Sequence, residues 1–297
     1  MRFIVFSVNG AKHLGIETRG ELRGFVGNGA TQGADLLELL RQGPEALRAA
    51  GQALANAPIL DAGAIKFLPP LPAPPKIICV GLNYADHTKE SAFEQPNYPT
   101  LFSRFNTTLI GHGTAIVRPR VSEQLDYEGE LAIIIGKTGR HITTARALDH
   151  VAGYSIFNDA SVRDYQFKSP QWTVGKNFDS TGPFGPAFVT ADELPEGGTG
   201  LHLQTRLNGE VVQSASTADM IFDVVSLITI ISEAITLEVG DVIVSGTPAG
   251  IGFTRKPQLF MRSGDVCEVE IEGLGVLRNP VVNEVGTETR VAEHVKA

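Results

Sequence analysis

Cysteine is scarce in this chain: its 297 residues include two, Cys79 and Cys267. They lie far apart and neither belongs to a Cys-x-x-Cys pair, which points to two free core thiols in a reducing cytoplasm. Basic residues are outnumbered, 25 Lys and Arg against 33 Asp and Glu, for a formal charge of −8 and a pI near 5.4. That balance argues against nucleic acid as a partner, because displacing phosphate counterions takes a clustered basic face. No apolar run approaches the ~20 residues that span a bilayer, so no membrane partner is expected. Met1 to Val8 is apolar over the length of a strand and carries no small-residue cleavage site, so no signal peptide is expected. Gly-x-Ser-x-Gly and His-Glu-x-x-His are missing, which argues against the serine hydrolases and zinc proteases built on them. No repeat of 20 to 50 residues is present.

What is present is the composition of a folded globular protein, 42% apolar and 20% charged, long enough for one large domain or two modest ones. Arg2 to Val8 and Ala11 to Thr18 flank Asn9-Gly10, the signature of a type I′ hairpin, and a second turn is expected at Gly27-Asn28-Gly29. From Asp35 the pattern turns helical through Leu36, Leu37, Leu39 and Leu40 and stops at Gly43-Pro44, where Pro44 opens a second helix through Leu47, Leu54 and Ala57. Between Leu68 and Lys76 five prolines deny the backbone helix and central strand. This segment sets the expected boundary between a small N-terminal α+β domain (1–72) and a second domain (73–297). Beyond it, strand-like runs dominate: Ile77 to Val80, Leu131 to Ile135, Leu201 to Leu207, Val242 to Val244 and Cys267 to Ile271. Met220 to Thr236 is the clearest helical stretch. The expected fold class is α+β, mostly β.

Several groups of residues carry chemistry. In Asp126-Tyr127-Glu128-Gly129-Glu130, strand periodicity aims the carboxylates of Glu128 and Glu130 at one face. Paired anions call for a positive partner, and hard cations such as Mg²⁺, Mn²⁺ or Ca²⁺ prefer carboxylate oxygen. Asp159, after the apolar run Tyr154 to Phe157, is a candidate third ligand. Asn83 has the look of a helix cap, and on the following turn His87 and Glu90, three apart, share a face, where the carboxylate can orient the imidazole as a general base. Ser245 to Gly252 could present backbone amides and a hydroxyl to an anion. It lacks the Gly-Lys-Ser/Thr of a nucleotide-binding loop. Lys176 sits among aromatics, glycines and prolines that would partly desolvate its amine. Arg163 and Gln166 would reach the space beside the carboxylates if they lie on a helical turn.

Taken in order, Gly81 to His87, Asp126 to Leu131, Phe157-Asn158-Asp159 with Arg163 to Gln166, Gln171-Trp172-Thr173 with Lys176 and Phe178-Asp179, and Gly240 to Ile243 running into Gly246 to Gly250 resemble the fumarylacetoacetate hydrolase family over roughly residues 76 to 283. The resemblance implies a mixed β-roll catalytic domain, usually a homodimer, whose divalent metal chelates a small 2-oxo acid. Position by position it implies Glu128, Glu130 and Asp159 as metal ligands, His87 with Glu90 as the water-activating dyad, and Lys176 beside the substrate. Arg163, Gln166, Thr247 and Tyr84 would be substrate contacts. The leading expectation is a Mg²⁺- or Mn²⁺-dependent hydrolase cleaving a carbon-carbon bond in a 2,4-dioxo acid of acylpyruvate or fumarylpyruvate type, in aromatic or related catabolism. The alternatives are an isomerase of a 2-hydroxymuconate-like dienoic acid, an oxaloacetate decarboxylase, and a non-catalytic binder of small acids. Where many relatives carry a Phe-Leu-Lys-Pro type segment this chain has Phe102-Ser103-Arg104-Phe105, so the pocket shape is expected to differ. Ser91 to Thr100, after the dyad, is a candidate lid.

Overall fold

The computed structural model describes residues 1–27, 35–91 and 94–286. Its centre follows from one run, Leu131 to Ile135, which has no polar interruption and so suits a strand covered on both faces. The strand Gly129–Ile135 is buried at all seven positions. Leu131, Ile133 and Ile135 pack on one side, with the helix Val224–Ala234 and with Leu203, Val269 and Ile271 of a second sheet. Ala132 and Ile134 face the other side, toward Leu36, Leu40, Leu47 and Leu54 of the helices Leu36–Gln42 and Pro44–Ala55. Each buried branched side chain contributes about 1.5–3 kcal/mol, and the period of two sorts these residues into two cores.

The central strand runs antiparallel to Val151–Asn158 on one edge and to Val242–Val244 on the other. The sheet continues as Glu21–Gly24, Ala11–Thr18, Arg2–Val8, Gly182–Thr190, Val151–Asn158, Gly129–Ile135, Val242–Val244, Ile77–Gly81 and Thr100–Ser103. A second sheet has the order Glu210–Ser216, His202–Leu207, Val266–Ile271, Gly275–Asn283 and Ile116–Arg118. The protein is thus α+β and strand-rich, as expected. Residues 1–72 and 73–297 share the large sheet, because Arg2–Val8 pairs with Gly182–Thr190 as well as with its hairpin partner. Asn9 and Gly10 both have positive φ, the conformation a type I′ turn requires. Of the second expected turn, Asn28 and Gly29 lie outside the described residues.

Two local expectations are corrected. The helix starts at Val224 instead of Met220. Thr217–Asp219 closes its own capped turn and Met220 bridges to Tyr84, so the first available cap is Asp223, which accepts from the Ser226 N–H at 2.8 Å. Asn83 is not a helix cap: the helix Ala85–Glu90 begins after Tyr84 without a side-chain cap. The Asn83 amide instead donates to the carbonyls of Ser245 at 2.7 Å and Phe222 at 3.0 Å, tying three chain segments together beneath the site.

Candidate active site

The acidic residues meet because of sheet register. Glu130 pairs with Phe157 across the ladder, so the start of one strand lies against the end of its neighbour. Asp159 N–H donates to the Glu128 carbonyl at 2.8 Å and the Asn158 side chain accepts from Glu128 N–H at 3.0 Å. One ligand oxygen each from Glu128, Glu130 and Asp159 falls within 4.8 Å of the others, and all three residues are buried.

Buried anions need compensation. Lys176 Nζ lies 2.7 Å from both Glu128 and Asp159. Arg163 pairs with Glu128 at 2.6 Å and with Asp126 at 2.8 Å, while Arg104 pairs with the other oxygen of Asp159. Burial pushes the Glu128 carboxyl up, but Lys176 and Arg163 outweigh it and bring it down to about 2. Lys176 feels the converse: burial disfavours its charge, and Asp159 and Glu128 more than restore it, holding its pKa above the usual value. Glu130 forms no ion pair among the described residues. Its carboxylate accepts from the Gly246 N–H, and burial, with Asp159 and Glu128 alongside, pushes its pKa well above the usual range. Four carboxylates, counting Asp126, thus face three cations, and Glu130 is the one without a compensating cation among the described residues. A hard divalent cation fits this donor set in chemistry, in spacing and in charge.

Opposite the carboxylates stands the dyad. His87 and Glu90, one turn apart, place Nδ1 at 2.9 Å from Oε1, which leaves Nε2 as the nitrogen available to a substrate. Glu90 also accepts from Gly250 N–H at 2.9 Å and from the Thr254 hydroxyl at 3.1 Å. Burial raises its pKa, but these bonds and the imidazole hold it below the usual carboxylate value. The amides two and three residues further along, Gly252 and Phe253, donate to Asp126 at 2.8 and 2.9 Å. The glycine-rich loop does bind anions with its backbone, but they are this chain's own carboxylates.

These groups surround a cavity of about 40 Å³. His87, Glu128, Glu130, Arg163, Gln166, Lys176 and Thr247 line it together with Phe102, Phe167, Trp172 and Phe253. Arg163–Gln166 is a short helical turn, and Arg163 donates to the Gln166 carbonyl oxygen at 2.9 Å, leaving the Gln166 NH₂ as its donor end. Tyr84 stands apart from the cavity lining: its ring is buried in the apolar core with Ile78 and Val80. Its hydroxyl has no hydrogen-bond partner among the described residues. Arg104 does not line the cavity either, and Phe105 is 53% exposed. Of the Arg-Phe pair, Arg104 therefore supports Asp159 from behind, and Phe102 of the same segment is the residue that lines the pocket. Ser91 lines the cavity, whereas Ala92 and Phe93 of the expected lid lie outside the described residues. Asp126, Arg104, Phe253 and Gln213 were not singled out as site residues. Asp126 could have been read from its place in the same acidic motif and Arg104 from its place in the departing Phe102 to Phe105 segment, but Phe253 and Gln213 carry no local signal.

Comparison with known proteins agrees with this geometry. The family model for the fumarylacetoacetate (FAA) hydrolase C-terminal region matches residues 76–282. The mitochondrial oxaloacetate tautomerase FAHD2A of Homo sapiens is 42% identical over 276 residues, 91% of this chain and 87% of that protein. The fumarylacetoacetate hydrolase structure from psychrophilic Exiguobacterium antarcticum is 41% identical, with a TM-score of 0.83 over 96% of this chain and all of that one (100%). A 2-hydroxyhepta-2,4-diene-1,7-dioate isomerase structure from Mycobacterium marinum is 31% identical, with a TM-score of 0.74 over 96% of this chain and 100% of that one. On sequence, fold and the buried acidic triad alike, the chain belongs to the fumarylacetoacetate hydrolase family.

Proposed function

We propose that this chain is a divalent-cation-dependent enzyme that interconverts the enol and keto forms of a short 2-oxo diacid of the oxaloacetate type. The observation that carries this reading is the cavity itself. Its lining sets a proton-exchanging imidazole, His87 held by Glu90, beside the Glu128 and Glu130 carboxylates and the Lys176 ammonium. Tautomerisation needs only a proton moved between carbon and oxygen. The similarity to the human oxaloacetate tautomerase supports the same choice.

Glu128, Glu130 and Asp159 would hold Mg²⁺ or Mn²⁺, which when bound supplies Lewis acidity and a template for the carboxylate and 2-oxo group. His87 Nε2, its ring fixed through Nδ1 by Glu90, exchanges the proton at the carbon next to the carbonyl. The Lys176 ammonium and the Gln166 NH₂ stabilise negative charge developing on the substrate oxygen. Arg163 and Thr247 hold the remaining oxygens.

A second reading has its own support. Phe102, Phe167, Trp172 and Phe253 give the cavity an aromatic rim, which suits the apolar acyl group of an acylpyruvate, and the same dyad could then activate water for carbon-carbon hydrolysis. The deciding experiment offers enol oxaloacetate, acetylpyruvate and fumarylpyruvate to the enzyme with Mg²⁺ or Mn²⁺ and with EDTA. Decay of enol absorbance without release of pyruvate or CO₂ supports the tautomerase. Faster consumption of an acylpyruvate, with pyruvate as product, overturns it in favour of the hydrolase.

A further inference from the structure

Gln213 is a fully buried amide that neither the dyad nor the carboxylate cluster touches directly. It lies on the strand Glu210–Ser216 of the second sheet, where the pairing with His202–Leu207 slips: Thr205 faces Gln213 and Arg206 faces Val211. Val212 is the extra residue of a β-bulge, and the strand shows the consequence, two consecutive buried residues, Val212 and Gln213, in place of alternation. A bulge re-aims the side chain that follows it. Here it turns Gln213 inward against the first sheet.

The Gln213 carbonyl oxygen accepts from Gly129 N–H at 3.0 Å, and its NH₂ donates to the Thr247 hydroxyl at 2.8 Å and the Pro248 carbonyl at 2.9 Å. Thr247 closes the ring by donating to the Gly129 carbonyl at 3.0 Å. Gly129 is the residue between Glu128 and Glu130. It accommodates the second sheet only because it lacks a side chain, since a Cβ there would meet the Thr205 hydroxyl at 2.3 Å.

We propose that Gln213 is a positioning residue of the active site, tying the peptide between the two glutamates and the Thr247 hydroxyl into one hydrogen-bonded frame. The inference rests on reading Glu128 and Glu130 as cation ligands and Thr247 as a substrate contact, as above. An amide is suited to the task because it accepts at one end and donates at the other. Groups that orient ligands from behind typically change metal affinity 10- to 100-fold.

The test uses binding of Mn²⁺ alone, followed by calorimetry, and of oxalate to the Mn²⁺ form, followed by the fluorescence of Trp172, the single tryptophan, which lines the cavity. Gln213→Met, similar in shape but without the bonds, is expected to weaken Mn²⁺ about 10-fold and to weaken oxalate as well. Thr247→Val keeps the Gly129 N–H bond to Gln213 but loses the bond to the Gly129 carbonyl, so it is expected to weaken oxalate and to weaken Mn²⁺ less than Gln213→Met does. Leu203→Ala, a core change on the neighbouring strand, is expected to lower Tm without altering Mn²⁺ affinity. Wild-type Mn²⁺ and oxalate affinities in Gln213→Met would overturn the proposal, as would an equal loss of Mn²⁺ binding in Leu203→Ala. Should Gln213→Met fail to fold, unchanged oxalate affinity in Thr247→Val overturns it independently. A wild-type protein that binds both probes but turns over no oxo acid defeats the proposed reaction and leaves the role of Gln213 standing. One that binds no Mn²⁺ defeats both.

Discussion

Arg104 reaches behind Asp159 and ion-pairs with it where neither side chain meets solvent. The guanidinium also donates to Ala160 O at 3.1 Å and the Thr181 hydroxyl at 2.8 Å, so its fork is largely spent on fixing one carboxylate. Removing one partner of a buried pair costs up to about 3–5 kcal/mol, of which Lys176, 2.7 Å from the other oxygen of Asp159, offsets a part. Arg104→Ala should lose stability on that scale in urea unfolding. Arg104→Lys keeps the charge but not the fork, so it should recover part of the stability and still bind Mn²⁺ more weakly than wild type.

His87→Ala should lower kcat by about 10² or more through loss of the proton-transferring group, with Mn²⁺ affinity nearly unchanged because the carboxylate triad is intact. Near-normal turnover of the preferred substrate would remove the dyad from the reaction.

Glu130 is the carboxyl of the cluster without a cationic partner among the described residues, and burial beside Asp159 and Glu128 makes its ionised form costly. Glu130→Gln should therefore raise Tm of the metal-free protein while abolishing the rise that Mn²⁺ produces in wild type. The stabilisation behind that rise should approach about 2.7 kcal/mol at a Mn²⁺ concentration about 100 times Kd. Differential scanning calorimetry with and without EDTA reads both effects, and a Glu130→Gln protein still stabilised by Mn²⁺ would contradict the ligand assignment.

The pKa of Glu90 is held below its usual value, so its ionised form is the one that stabilises the fold. The contribution is complete above the unfolded pKa of about 4.3 and is lost as pH falls through the lower folded pKa. Unfolding free energy measured from pH 7 to pH 3 should fall in the acid range for wild type and less steeply for Glu90→Gln. Any acid limb of activity above pH 5 belongs to another group.

Much of the site was legible along the chain because its spacings are local. A period of two places Glu128 and Glu130 on one face, and a helical turn brings His87 to Glu90; neither depends on what packs around them. Tyr84 and Arg104 show where such reading stops. Tyr84 adjoins the Asn83 that pins three segments, yet its ring packs in the core with Ile78 and Val80 and its backbone bridges to Met220, a contact distant in sequence that no local spacing announces. Arg104 lies 55 residues from Asp159, and only the sheet register brings them together.

Composition and periodicity by themselves determined a strand-rich α+β chain, two apolar faces on the central strand and the local geometry of the acidic and His-Glu pairs, since backbone repeat distances set these before any tertiary contact forms. Tertiary structure alone decided which cations neutralise which carboxylates, that the N-terminal hairpin joins the large sheet, and that a bulge turns Gln213 toward Gly129. Those outcomes depend on register between strands distant in sequence, and burial of charge allows only the pairings that compensate it.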